Sequence, residues 1–136
     1  MTKLRTAKNK GSQFELDCEY NFKKKFEDIK RLGGQGQFME LDLISEKHCV
    51  AIECKRHRSF SWNELVGYYN KLKKRCPAHY SCLLVFQANR QPVLIMREFM
   101  EMLIVTGFED YMFCFDDNNK PIEFKFEKHK PIKHNN

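Results

Sequence analysis

The chain has 136 residues, 42% of them hydrophobic and 12 of them phenylalanine, which suits one domain able to bury its own core. With 24 Lys and Arg against 18 Asp and Glu, the formal charge is +6, a balance that favours a polyanionic partner such as nucleic acid. No apolar run is long enough to cross a bilayer and no hydrophobic segment follows the basic start, so a membrane protein is excluded and a cytoplasmic location is expected.

Lys3, Arg5, Lys8 and Lys10 make residues 1–10 a flexible basic lead-in. After Gly11-Ser12, the side chains of Phe14, Cys18, Phe22, Phe26 and Ile29 recur at spacings of four and three, which predicts a helix that stops near Leu32. Gly33 to Gln37 reads as a loop; because a strand rather than a helix follows it, it is no dinucleotide fingerprint. Two strand-like runs come next, from Glu40 to Ile44 and from Cys49 to Lys55, joined by Ser45 to His48. Ser61 and Glu64 form a capping-box pattern for a second helix with an apolar stripe of Trp62, Leu65, Val66, Tyr69 and Leu72, a basic end and a stop at Pro77. Tyr80 to Phe86 reads as a central strand.

A third helix is expected after Asn89 to Pro92, with Met96, Phe99, Met100, Leu103 and Ile104 as its stripe and Gly107 as its end. Tyr111 to Phe115 and Ile122 to Phe126 read as a last hairpin around Asp116 to Asn119. One domain over residues 11–127 and a polar tail over 128–136 follow, with an α/β fold in which helices flank a central mixed sheet. The six cysteines, Cys18, Cys49, Cys54, Cys76, Cys82 and Cys114, form no CxxC and read as reduced packing residues rather than disulfides or zinc ligands.

The chemistry concentrates in the two adjacent strands. In each, apolar and charged residues alternate, so Glu40, Asp42, Glu53 and Lys55 can share one face while Met39, Leu41, Leu43, Val50, Ile52 and Cys54 take the other. A register pairing Ile44 with Cys49 sets Glu40 opposite Glu53, and a shift by two sets Asp42 opposite Glu53. Either brings carboxylates within about 5–8 Å of each other, where they repel unless a hard cation such as Mg²⁺ relieves them.

Asp42 followed by Glu53-Cys54-Lys55 at the end of a second strand resembles the D…ExK signature of restriction-endonuclease-like nucleases. Lys10-Gly11-Ser12-Gln13-Phe14-Glu15 at the mouth of the first helix is similar to the opening of archaeal-type Holliday junction resolvases within that superfamily. The likeness covers roughly residues 10 to 87. It implies a restriction-endonuclease-like fold and a Mg²⁺-dependent endodeoxyribonuclease, with Mn²⁺ able to substitute, acting on branched DNA in recombination or repair as a homodimer. Asp42 and Glu53 would hold the metal with the backbone carbonyl of Cys54, and Glu15 would contribute directly or through water. Lys55 would hold the attacking water and offset charge on the phosphorane. The loop from Gly33 to Gln37 lacks the arginine and serine common there in junction resolvases, so nuclease chemistry is better supported than junction specificity.

Lys10, Arg56, Arg58, Lys71, Lys73, Lys74 and Arg75 are the candidate DNA contacts. Several of the candidate residues have a plainer reading: Glu15 as a first-turn acid facing the helix dipole, Arg56 to Arg58 as a solvated link, His57 as a surface histidine, and Lys73 to Arg75 as a basic helix end. The rival functions are a nuclease of the same fold for linear, flap or foreign duplex, and a basic binding module without catalysis.

Overall fold

In the computed structural model, which describes residues 13–32 and 41–129, α1 occupies residues 13–22. Phe14, Cys18 and Phe22 are buried along one side of it. The helix is shorter than its apolar spacing predicts: Lys24 N–H bonds back to Asn21 and Lys25 N–H to Phe22, closing the last turn tightly, so Phe26 and Ile29 reach the core from a turn. The chain then enters β1 (Lys30–Arg31), β2 (Leu43–Ser45) and β3 (Val50–His57), crosses through α2 (Trp62–Arg75), and returns as β4 (Ser81–Ala88). β5 (Leu94–Phe99), β6 (Met102–Gly107), α3 (Phe108–Met112), β7 (Cys114–Phe115) and β8 (Pro121–Ile122) complete it.

β1 to β6 form one sheet in sequence order. Every neighbouring pair is antiparallel except β3 and β4, which run parallel across the α2 connection over all eight residues of each. The fold is therefore α/β with a mixed six-stranded sheet. Both faces of the sheet are apolar: Leu43, Val50, Ile52, Cys54, Val85 and Ile95 meet α1, whereas Ile44, Ala51, Leu84, Phe86 and Met96 meet Leu65, Tyr69 and Leu72 of α2. Leu41 joins the α2 side instead of aligning with Leu43 as strict alternation predicts, because it lies before β2 begins.

α2 starts where expected. Ser61 Oγ accepts from Glu64 N–H at 3.2 Å and Glu64 Oε1 accepts from Ser61 N–H at 3.1 Å. Trp62 departs from the expected stripe and is 54% exposed. Phe60, from the link before the helix, covers Phe86 in its place, with ring centroids 5.4 Å apart.

The expected third helix is a hairpin. β5 and β6 pair from Leu94↔Gly107 to Phe99↔Met102, with Met100 and Glu101 as a two-residue turn at φ 50° and 65°. The helical spacing misled because Ile95 and Met96 are buried on opposite faces, which hides the two-residue period, and because the turn lacks the Asn-Gly signal of such hairpins. The last hairpin is also smaller than expected. Tyr111 belongs to α3, and only Cys114↔Ile122 and Phe115↔Pro121 pair.

Beyond β8 the chain is no strand, yet Phe124 and Phe126 pack on the α1 side, with the Phe126 ring 5.1 Å from that of Phe108. Buried Asn21 donates to Glu127 O at 2.7 Å and accepts from Glu127 N–H at 3.0 Å, while buried Asp17 accepts from His129 N–H at 2.8 Å. The expected polar tail thus begins as a strap bonded to α1. Among the described residues no helix is long and apolar enough to cross a membrane.

Replacing Met100→Asn together with Glu101→Gly relieves two left-handed residues and is expected to stabilise the fold by about 1 kcal/mol, read as a higher urea midpoint. A helix in this segment would instead be weakened by glycine, and the midpoint would fall.

Candidate functional site

The hairpin register decides where the acids meet. Leu43 pairs with Ile52, Ile44 with Ala51 and Ser45 with Val50, which is the shifted of the two expected registers. One step beyond the ladder it sets Asp42 level with Glu53. The connection is a turn over residues 46–49, with Cys49 at φ 54°, rather than Ser45 to His48. Asp42 is held from the neighbouring strand: its Oδ2 accepts the Cys54 backbone N–H at 2.8 Å. On its other side Leu32 N–H donates to Asp42 O at 3.2 Å, continuing the pairing of β1 with β2.

α1 brings Glu15 to the same place. Its carboxyl is raised to about 7, first by burial and then by the charge and hydrogen bonding of Asp42, with Glu53 adding and Arg31 opposing. Glu53, 8% exposed, is likewise raised to about 7 by burial and then by Asp42, with Lys55 and Arg75 opposing. Three acids, from α1, from the residue just before β2 and from β3, therefore interact in a partly dry corner. Lys55 Nζ lies 3.8 Å from Glu53 Oε1 and 4.8 Å from the centre of the Tyr68 ring, so the ammonium is fixed between an acid and an aromatic face.

Arg31 was not legible as a site residue, because a two-residue strand carries no periodic signal. It reaches Glu15 at 4.0 Å and Glu19 at 3.7 Å. Tyr68 was hidden behind its neighbour Tyr69, which carries the apolar stripe. His57 stacks on Phe60 with centroids 4.8 Å apart, a packed position.

The expected DNA contacts separate into groups. Arg56 follows Lys55, and its Nη1 is buried with no hydrogen-bond partner; Arg58 is exposed just past the end of β3. Lys71, Lys74 and Arg75 are exposed on α2. Lys73 forms an ion pair with Glu98 on β5, away from the acids. Lys10 and Glu40 lie outside the described residues.

The donor chemistry suits a hard divalent ion, since burial first and the neighbouring Asp42 second raise the Glu15 and Glu53 carboxyls, and a cation would oppose both effects. Among the described residues no group of three or more His, Cys, Asp and Glu side chains is arranged to hold a metal ion, so the expected three-acid set of Asp42, Glu53 and Glu15 is not formed as a ligand cluster. Asp42 and Glu53 are the side chains available, with the Cys54 carbonyl beside them on β3; an ion of this kind commonly takes its remaining oxygens from water and phosphate. No family model, curated protein or solved structure matches the chain.

Glu15 and Glu53 each have a folded value above the ordinary 4.5, so their contribution to stability is full below about pH 4.5 and is lost as pH rises to about 7. In EDTA the melting temperature is therefore expected to fall across that window. Glu53→Gln should flatten the fall and Mg²⁺ should reverse it at alkaline pH; a wild-type profile parallel to that of Glu53→Gln by scanning calorimetry would contradict the coupling.

Proposed function

We propose that the chain is a Mg²⁺-dependent endodeoxyribonuclease of the restriction-endonuclease-like class, acting in the cytoplasm on branched DNA and best suited to a four-way junction. The observation that carries this reading is the meeting of Asp42 and Glu53 across two strands, with Glu15 added from α1 and the Lys55 ammonium 3.8 Å from Glu53. The order of α1, the β1–β3 meander, α2 and β4 supports the same class: Glu15 falls on the first helix, Asp42 directly before the second strand, and Glu53 and Lys55 on the third, close to what the resemblance implies.

Phosphodiester hydrolysis needs a water aligned opposite the leaving oxygen and positive charge where the phosphorane gains negative charge. Asp42 and Glu53, with the Cys54 carbonyl, would hold Mg²⁺, which when bound supplies Lewis-acid stabilisation to the phosphate oxygens. The Cys54 N–H keeps the Asp42 carboxylate turned toward β3. Lys55 orients the attacking water and offsets charge on phosphorus, and Tyr68 keeps its ammonium near Glu53. Arg31 restrains Glu15 at the rim. The unsatisfied Arg56 nitrogen and the exposed Arg58, Lys71, Lys74 and Arg75 supply phosphate contacts, so the chain fits the backbone of DNA without reading bases.

Two symmetric cuts call for a two-fold dimer. With the helix expected after Pro92 folded as the β5–β6 hairpin, the interface falls to edge strand β6 and its turn, where Met100 is 81%, Met102 65% and Val105 37% exposed.

Lys55→Ala is expected to slow Mg²⁺-dependent cleavage of a synthetic immobile junction by about 10²–10³-fold, and Asp42→Asn to abolish it, with melting temperatures retained. Unchanged cutting by both variants means the site is elsewhere. Equal rates on the junction and on linear duplex of the same sequence move the substrate to ordinary duplex, and no cutting by wild type with DNA still bound leaves a binding module.

A further inference from the structure

The sheet comes apart between β4 and β5. They pair only over Leu84↔Met96, Val85↔Ile95 and Phe86↔Leu94, and the continuation that would join Leu83 to Arg97 and Cys82 to Glu98 is missing. β4 stays paired to β3 there and β5 to β6, so both strands remain ordered while the gap between them opens. A cavity of about 550 Å³ occupies the gap, within the range of small-molecule sites. Tyr69 lines it from α2 and Tyr111 from α3, on opposite faces of the sheet, and Tyr80 closes the end near β4. The carboxylates Glu15, Asp42 and Glu53 take no part in its walls.

Its charge is unbalanced. Lys73 is neutralised by Glu98, but Arg97, also in the wall, makes no ion pair among the described residues. The Arg97 guanidinium lies 5.5 Å from the centre of the Tyr111 ring and 5.7 Å from that of Phe99, and its Nε is buried without a hydrogen-bond partner. Thr106 Oγ1, on the same face of the β5–β6 pair, is buried and unpartnered too. Lys25 adds a second cation against Tyr111, 4.5 Å from its ring centre, and donates to Tyr111 O at 3.3 Å. Burial lowers the Lys25 ammonium from its ordinary value, with Cys114 opposing and the Arg97 charge adding to the fall.

A buried arginine nitrogen with no acceptor, beside three tyrosines that line an open cavity, is the complement of an anion carrying a flat ring. We propose that the β4–β5 cleft binds a mononucleotide-sized phosphate ester of an aromatic base, with the phosphate on Arg97 and the ring among Tyr69, Tyr80 and Tyr111. This site is separate from the carboxylate corner, and it does not depend on nuclease activity.

The test is calorimetric titration of the full chain in EDTA with AMP, adenosine and inorganic phosphate. AMP is expected to bind about tenfold or more tighter than either fragment, and Arg97→Met to weaken AMP by about tenfold. On the wild-type chain, AMP should also slow alkylation of Cys76 and Cys82, which line the cleft, by N-ethylmaleimide while leaving exposed Cys114 unchanged. That footprint needs no variant, so it decides the matter even where Arg97→Met fails to fold. Absence of binding and protection at millimolar AMP, AMP no tighter than both fragments, or equal AMP affinity in a folded Arg97→Met overturns the proposal.

Discussion

The pairing of β2 with β3 is the constraint on which the candidate site depends. With Leu43 against Ile52, Asp42 stands level with Glu53 and within reach of the Cys54 N–H. A slip of one residue would turn β2 over, sending Leu43 toward α2 and Ile44 toward α1. Both residues are fully buried in closely packed layers, so exchanging them between the two faces would force both layers to repack, and that cost keeps the acids together. Burial of Leu43, Ile44, Ala51 and Ile52 thus maintains a cluster of like charges that would separate if the strands were free to choose.

Like charges held this way have a chemical consequence. Glu15 and Glu53 are both shifted to about 7, burial first and Asp42 second, and the cations nearby, Arg31 and Lys55, only partly oppose the shift. Under the proposed function, the corner would exchange protons for a divalent cation near neutral pH. Lys55 Nζ stands 3.8 Å from Glu53 Oε1 and 4.8 Å from the centre of the Tyr68 ring, and under the proposed function its ammonium would meet a phosphate.

Much of this was legible in the residues. Alternation marked β3, the Ser61 and Glu64 pair marked the start of α2, and the apolar run from Tyr80 marked β4, because each rests on a local rule that tertiary packing reinforces, whereas β2 begins only at Leu43, after Asp42, and is buried at all three positions, so the alternation read from Glu40 to Ile44 did not place it. Register was narrowed to two choices but not decided, since loop length alone permits both. The β5–β6 hairpin was missed because a strand buried on both faces loses its two-residue period and because Met100-Glu101 is an unusual pair for left-handed turn geometry. Arg31 and the β4–β5 cleft were invisible for another reason: one depends on a two-residue strand, and the other on where pairing stops.

The central claim is that Asp42 and Glu53 together hold a divalent cation. The direct measurement is a crystal soaked in Mn²⁺ and recorded at the manganese edge. The account predicts an anomalous peak between the two carboxylates, near the Cys54 carbonyl, that is lost in Asp42→Asn. No peak there in well-ordered crystals of the wild-type chain, or an ion bound without either carboxylate, would contradict it.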